Sequence, residues 1–418
     1  MTTATRPARP RTGISVVQDG RGYWHFRREL PRDPATGKRR RLDKSDRIKS
    51  KARGKFEAAL AEYQRTGRIK TGRSPLLRDW LGRWLDEYKR PMVKPRVYET
   101  YRSDCRNINA VIGSVRLEDL EPWHVREMGN RIMETRSGKT ALNAYIRLRS
   151  ALSDAVKEDL VDSNVCDRCD PPRVSANPTV ILQPGQPDRL IEAEASARSR
   201  SKRHPWPDDA EDRRMWALMW RLAFTTGMRQ GERFALTPSE LVSRNGVNGI
   251  MVMHELQRYK AGAVIPAWLH ASRVRGGIWS VPPKSSKGIR FIPLEQDLWN
   301  SLQDWIRDHD IGDGDLVFTR KGWPLTNPVE RRRWSMALEE AGLPYVTIRS
   351  ARHYFATRLA EAGAPEDARK DLMGHVSIDT TAGYTHWSLQ TLAALVGKAG
   401  KTIEPTPETI DVRLAEAS

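Results

Sequence analysis

Apolar positions change their period along the 418 residues, and each period marks a different stretch of chain. Near the start the period is two. Residues 14–17 (Ile-Ser-Val-Val) read as one short strand. Residues 23–30 alternate Trp24, Phe26, Arg28 and Leu30 on one face with Tyr23, His25, Arg27 and Glu29 on the other. Residues 33–38 carry turn chemistry, and 39–42 read as the returning strand. The period then changes to that of a helix, with Phe56, Leu60 and Tyr63 aligned over residues 49–63.

After Ser74-Pro75 the helical period dominates. Leu77, Trp80, Leu81, Trp84, Leu85 and Tyr88 define one buried stripe. Tyr98, Tyr101, Cys105, Ile108 and Ile112 define a second, closed by Gly113 as a C-cap. Leu142, Tyr145, Ile146, Leu152 and Val156 define a third. Five prolines in residues 170–187 interrupt periodicity and read as a linker. Residues 188–398 return to an α-rich pattern, whose clear β stretch lies within 249–294. The predicted architecture is multidomain and mainly α, with a small sheet plus helix at the N-terminus and a small antiparallel sheet in the last domain. Its divisions are a disordered basic arm (1–12), a sheet-and-helix domain (13–70), a helical domain (75–168), the linker, an α-rich domain (188–398) and a flexible tail (399–418).

Charge changes the picture. The net charge is +19 and the pI about 10.0, which points to a polyanionic partner, nucleic acid first. Residues 1–74 hold 21 Lys/Arg against 7 Asp/Glu. A sheet backed by a helix can lie in a major groove, and Arg27, Arg28, Arg39, Arg40 and Arg41 are the expected DNA contacts. Many phosphate contacts imply binding that weakens steeply with salt. No run of 18 apolar residues suits a membrane span, mean hydropathy is −0.64, and residues 1–11 lack the apolar core of a signal peptide. Cys105, Cys166 and Cys169 are too few for a disulfide framework and point to a reducing cytoplasm. The Cys166-x-x-Cys169 pair lacks the further ligands of a zinc site and reads as an incidental feature of a boundary loop.

Three segments of the last domain carry candidate chemistry: 225–236 (Thr-Thr-Gly-Met-Arg-Gln-Gly-Glu-Arg-Phe-Ala-Leu), 347–357 (Thr-Ile-Arg-Ser-Ala-Arg-His-Tyr-Phe-Ala-Thr) and 372–386 (Leu-Met-Gly-His-Val-Ser-Ile-Asp-Thr-Thr-Ala-Gly-Tyr-Thr-His). Metal-free cleavage of a phosphodiester needs guanidinium forks for the non-bridging oxygens, a positioned nucleophile and a proton donor for the leaving 5′-oxygen. Arg229, Arg352, His375, Tyr384 and a hairpin lysine supply these types. Taken singly each has an ordinary structural reading, as a cap, an ion pair or a core residue.

In combination these segments resemble the tyrosine recombinase, or phage integrase, family: Thr-Gly-Met-Arg229-x-x-Glu232, then Arg349-x-x-Arg352-His-x-Phe-Ala-Thr, then Leu-Met-Gly-His375 with Tyr384 nine residues on. Residues 75–165, notably Ile112-Gly-Ser-Val-Arg-Leu-Glu-Asp-Leu120, resemble the family's core-binding domain, and the N-terminal sheet plus helix is similar to the arm-binding domain of large integrases. The resemblance implies that Tyr384 attacks the scissile phosphate to form a 3′-phosphotyrosyl link, that Arg229 and Arg352 clamp its oxygens, that His375 hydrogen-bonds it and that Lys284 is the general acid, with Lys287 and Lys260 as rivals. Glu232 buttresses the site or is simply a helix-surface carboxylate. Arg349 stands where the family often has His. It reads as a phosphate ligand or a structural residue, since Arg is no base near neutral pH, and His353 is the alternative for that role.

The resemblance further implies a metal-, ATP- and cofactor-independent integrase of a bacterial mobile element. It would be cytoplasmic, at the nucleoid, acting as a homotetramer on double-stranded core and arm sites. An excisionase and a DNA-bending protein are the implied accessory partners, and residues 389–395 the implied contact between protomers. Two other readings stay open: a DNA-binding relic of the same fold that no longer cuts, and DNA relaxation of the type IB topoisomerase kind.

Overall fold

The structure is a computed structural model that describes residues 13–32, 37, 39–66, 74–174, 180–196, 210–283, 288–374 and 387–400. Residues 1–12 and 401–418 lie outside the described residues, and with them the expected basic arm and most of the expected tail.

The first block is an antiparallel sheet, β1 (Ser15–Gln18), β2 (Trp24–Leu30) and β3 (Arg40–Asp46) in that spatial order, backed by α1 (Lys49–Thr66). Alternation on β2 turns Trp24, Phe26 and Leu30 toward the helix, where Phe26 and Leu42 bury against Ala52 and Phe56. The returning strand runs beyond 39–42 because the alternation persists through Lys44 and Asp46, which pair with Phe26 and Trp24.

The second block packs α2 (Leu77–Arg83), extended by a π-helical stretch Trp84–Lys89, with α3 (Pro95–Ile112), α4 (Pro122–Thr135) and α5 (Gly138–Lys157). Trp80 and Trp84 are fully buried, and each indole N–H finds an acceptor on α5: the Ala151 carbonyl at 2.9 Å and the Asp154 carboxylate at 2.9 Å. The third apolar stripe is corrected here. Ile146 is 44% exposed, and the buried face of α5 is Ala141, Ala144, Tyr145, Leu148, Ala151, Leu152 and Ala155. Alanines let α3 and α4 approach closely, so small residues mark the contact better than large ones. Cys166 and Cys169 are free thiols at a 3-10 turn whose carbonyls accept from the Tyr145 hydroxyl at 3.0 and 2.8 Å. Burial pushes the Cys166 thiol up to about 12, which makes it inert.

The third block begins with α6 (Gln186–Ser196) and the central α7 (Ala210–Thr226), followed by α8 (Gln230–Ala235). Strands β4 (Leu241–Arg244) and β5 (Val247–Val252) form a hairpin through Asn245-Gly246, both at positive φ. A second small sheet holds β6 (Glu255–Arg258), β7 (Ser272–Arg275) and β8 (Ile278–Val281), before β9 (Arg290–Pro293) returns beside β5. Next come α9 (Gln296–Asp308), the β10 (Thr319–Arg320) and β11 (Trp323–Pro324) hairpin, α10 (Asn327–Glu340), α11 (Arg349–Glu361), α12 (Glu366–Met373) and α13 (Leu389–Gly400). Trp216, Trp220, Phe224 and Trp334 lie together at the centre of the core.

The sheet β6–β8–β7 has its own apolar cluster of Tyr259, Leu269 and Val281 and reaches the helical block. Trp268 Nε1 donates to the Pro91 carbonyl at 2.8 Å, Lys94 Nζ to that of Pro282 at 3.1 Å, and Lys260 pairs with Glu99 at 2.7 Å. At the C-terminal end, Leu392, Val396 and Ala399 of α13 bury against Phe355, Leu359 and Leu372, because α13 packs beside α11. No helix among the described residues is long and apolar enough to cross a membrane.

Candidate active site

The site is built where α7 ends. Phe224 and Thr226 of its last turn are buried, and Gly227 then turns the chain at φ +59, where a Cβ would come within 2.6 Å of the Phe355 ring. Only glycine satisfies both the backbone angle and the close ring. The turn delivers Arg229 to the N-terminus of α8. Its backbone N donates to Glu232 Oε2 at 2.7 Å and its Nη1 to Oε1 at 2.7 Å, so a single carboxylate caps the helix and orients the guanidinium.

Glu232 is 1% exposed. It also accepts both terminal nitrogens of Arg290, at 3.1 and 2.9 Å. Its four acceptor positions are therefore filled. Burial alone would raise its pKa. The hydrogen bonds and charge of Arg290, with those of Arg229, overcome this and hold it down to about 2.

Arg352 comes from one turn inside α11. Its Nη1 donates to the Gly227 carbonyl at 2.6 Å and its Nη2 to the Met373 carbonyl. Arg229 Nη2 reaches the Gly374 carbonyl at 2.9 Å, and Arg290 Nε the Leu372 carbonyl at 2.8 Å. Three successive carbonyls at the C-terminus of α12 thus meet three different arginines. A helix C-terminus leaves such carbonyls without intrahelical partners and carries partial negative charge, and Gly374 ends the helix in the left-handed conformation.

Among the described residues this centre sets three guanidiniums against one carboxylate. Burial, then the charges of Arg229 and Arg290, press Arg352 down to about 9. It stays charged at neutral pH, so the pressure measures crowding rather than a lost proton. Such a centre is short of an anion.

The structure thus brings Arg229, Glu232 and Arg352 together and adds Arg290, which the sequence reading did not single out. Its signal was available: alternation places Arg290 two residues before Ile292 on the buried face of β9, where a charge is unexpected unless paired. Glu232 is no helix-surface carboxylate. Arg349 is exposed at the first residue of α11. Burial and the charges of Arg349 and Arg352 lower the pKa of His353, which favours its neutral form. Lys260 is held by Glu99 of the helical block. Lys284, Lys287, His375 and Tyr384 lie outside the described residues. Gly288 O, four positions after Lys284 in sequence, accepts Arg290 Nη1 at 3.1 Å, and Gly374 O, one position before His375, accepts Arg229 Nη2 at 2.9 Å.

The five expected arginine contacts of the first block are divided by the pleat. Arg27 and Arg41 share the open face, where Arg27 is paired with Asp43 at 2.7 Å and Arg41 stands 3.9 Å from it. Arg28 and Arg40 alternate to the helix side, Arg40 lying over the Tyr63 ring, and Arg39 is exposed just before β3. His25, also on the open face, lies between Asp19 and Asp43.

Residues 203–390 match the Phage integrase family, and residues 76–133 match the Phage integrase N-terminal SAM-like domain. This chain belongs to the tyrosine recombinase, or phage integrase, family, whose members cut and rejoin DNA. Relatives include a "Tyrosine recombinase XerC-like" protein of Caldanaerobacter subterraneus subsp. tengcongensis, 26% identical over 89% of this chain and 94% of the relative. An "Integrase" of Saccharopolyspora erythraea is 23% identical over 91% and 94%. Among solved structures, the Tn1549 transposon integrase in complex with transposon right end DNA has a TM-score of 0.57 at 21% identity, covering 82% of this chain and 99% of that one. A lambda integrase tetramer bound to a Holliday junction has a TM-score of 0.52 at 19% identity, covering 89% and 98%. The fold is that of these integrases: mainly helical, with small antiparallel sheets.

Proposed function

We propose that this chain is a site-specific recombinase of a bacterial mobile element that cuts and rejoins DNA through Tyr384. The observation that carries the reading is the excess of guanidinium over carboxylate at Arg229, Arg290, Arg352 and Glu232. A phosphodiester in flight to its pentavalent state carries the charge this centre lacks.

In the proposed step the Tyr384 oxygen attacks phosphorus and passes its proton to water, from which Lys284 is recharged after each transfer. The bond from phosphorus to the 5′-oxygen breaks, and Lys284 protonates that oxygen. A 3′-phosphotyrosyl link conserves the bond energy, and attack by a 5′-hydroxyl reverses the sequence to rejoin a strand. Arg229 and Arg352 hold the non-bridging oxygens, His375 donates to the same phosphate, and Arg349 lends longer-range positive charge from the solvent side. The arginines neutralise the phosphate themselves, so cleavage is expected to proceed without metal or ATP. Four protomers, the number in the lambda integrase tetramer bound to a Holliday junction, would exchange strands between two duplexes in turn. The first block, with its arginine-rich strands, would bind separate arm sites.

Covalent capture tests this. Nicked suicide duplexes incubated with the protein in EDTA and denatured in SDS should give a DNA-linked band, and Tyr384→Phe should give none while still binding DNA. Equal bands from both proteins would overturn the assignment of the nucleophile. Binding without any band would favour a protein of this fold that no longer cuts.

A further inference from the structure

We infer that Arg290 is a positioning residue that holds the last turn of α12 in place while Arg229 and Arg352 engage phosphate. The inference rests on the proposed reaction, but the argument is geometric.

The three arginines differ in how they are used. Arg229 is 37% exposed on its side chain and spends one terminal nitrogen on Glu232 and the other on Gly374 O. Among the described residues, Arg352 donates only to backbone carbonyls, those of Gly227 and Met373. A carbonyl is a neutral acceptor. An anionic phosphate oxygen forms the stronger, charge-assisted bond and draws a guanidinium away from it. Engagement of phosphate therefore weakens two of the three cationic caps on α12. The released carbonyls belong to Met373 and Gly374, and the chain continues from Gly374 directly into His375.

Arg290 is used differently. Its side chain is 5% exposed. Nε holds Leu372 O, Nη1 holds Gly288 O and Glu232 Oε1, and Nη2 holds Glu232 Oε2. Four of its five N–H donors are thus committed inside the protein. Facing no solvent, it cannot trade these partners for phosphate. It ties β9, the Glu232 carboxylate and α12 into one frame. Through Glu232 it also fixes the direction of Arg229. A lysine supplies the charge but not the planar fork, and cannot reach Leu372 O and both Glu232 oxygens together.

The test compares wild type with Arg290→Lys on pre-bound suicide DNA. We expect the single-turnover cleavage rate to fall about 10- to 100-fold while the Kd for the same duplex moves less than about 3-fold. Glu232→Gln should show the same split, and the double variant should lose less than the product of the two, since both act through one contact. Guanidinium ion should restore part of the rate in Arg290→Gly. Hydrogen exchange gives a readout that does not depend on cleavage: amides of residues 366–374 should exchange faster in Arg290→Lys, while those of α10 stay unchanged. A wild-type cleavage rate in Arg290→Lys, an equal loss of rate and affinity, or unchanged exchange at 366–374 overturns the inference. If wild type itself fails to cleave, the proposed reaction fails, and the exchange result alone decides the role of Arg290.

Discussion

Glu232 and Arg233 are neighbours on α8, yet they lead into opposite kinds of buried charge. Arg233 turns toward α10 and pairs with Glu330 at 2.5 Å, with exposures of 3% and 0%, and its Nη1 also satisfies the Met228 carbonyl. Arg333 and Glu194 form a second such pair between α10 and α6. Among the ion pairs of the described residues, each sets one cation against one carboxylate, closed off from water. Glu232 turns the other way and serves two arginines, with a third crowding behind. The balanced pairs hold helices together. The unbalanced centre, on the function proposed above, takes up an anion. Buried charge by itself is therefore not a mark of function; uncompensated buried charge is.

The comparison breaks most directly by removing a member from each side. Arg352→Ala should lower single-turnover cleavage on the order of 1000-fold, as the loss of an oxyanion-type donor does. Its melting temperature should hold or rise, because a crowded charge has gone. Glu330→Gln should do the reverse, costing about 3–5 kcal/mol of stability by orphaning Arg233 with little change in cleavage per folded molecule. Thermal melts alongside cleavage rates decide it. A lower melting point in Arg352→Ala than in Glu330→Gln would sink the distinction.

Acid sharpens it further. Glu232 has its folded pKa held down to about 2 against an ordinary 4.5. A depressed carboxylate stabilises the fold above its unfolded pKa, and that contribution is lost as pH falls from about 4.5 toward 2. Linkage makes the loss on the order of 3 kcal/mol. Denaturant unfolding across this window should show it in wild type, with a correspondingly shallower slope in Glu232→Gln. An identical slope in both would mean that another group carries the acid sensitivity.

How much of this could be read from the chain itself depends on the kind of signal. Stripes of large apolar residues, such as Leu77 to Leu85, identified helices and their buried faces. The α5 face was misread because alanines, not Ile146, make the contact, and a pattern of large residues does not register them. The β4–β5 hairpin went unread although Asn245-Gly246 is a strong turn signal, because Ser243 and Arg244 break the apolar run beside it. Within the site, the family resemblance set Arg229 and Glu232 in one motif but left Glu232 as a buttress or a helix-surface carboxylate, and only its burial in the fold decides between them. That Arg352 faces the same carbonyl ladder, 123 positions further along the chain, needed the fold. So did the partners of Arg290, whose buried place on β9 shows only once β5 fixes its register.

The smallest expected effect is also the most direct probe of a missing anion. If the centre is short of negative charge, sulfate should bind there without DNA and stabilise the folded chain. At ten times its Kd the gain is about 1.4 kcal/mol, which for a domain of this size shifts the melting point by a few degrees. Chloride at equal ionic strength controls for screening, which acts on the whole surface. The shift should vanish in Arg352→Ala, where the crowding is relieved, and persist in Glu330→Gln, where the pair removed lies on the other side of α8. Equal shifts in wild type and Arg352→Ala would assign the anion to the general positive surface instead, and the excess of arginine around Glu232 would then need another partner.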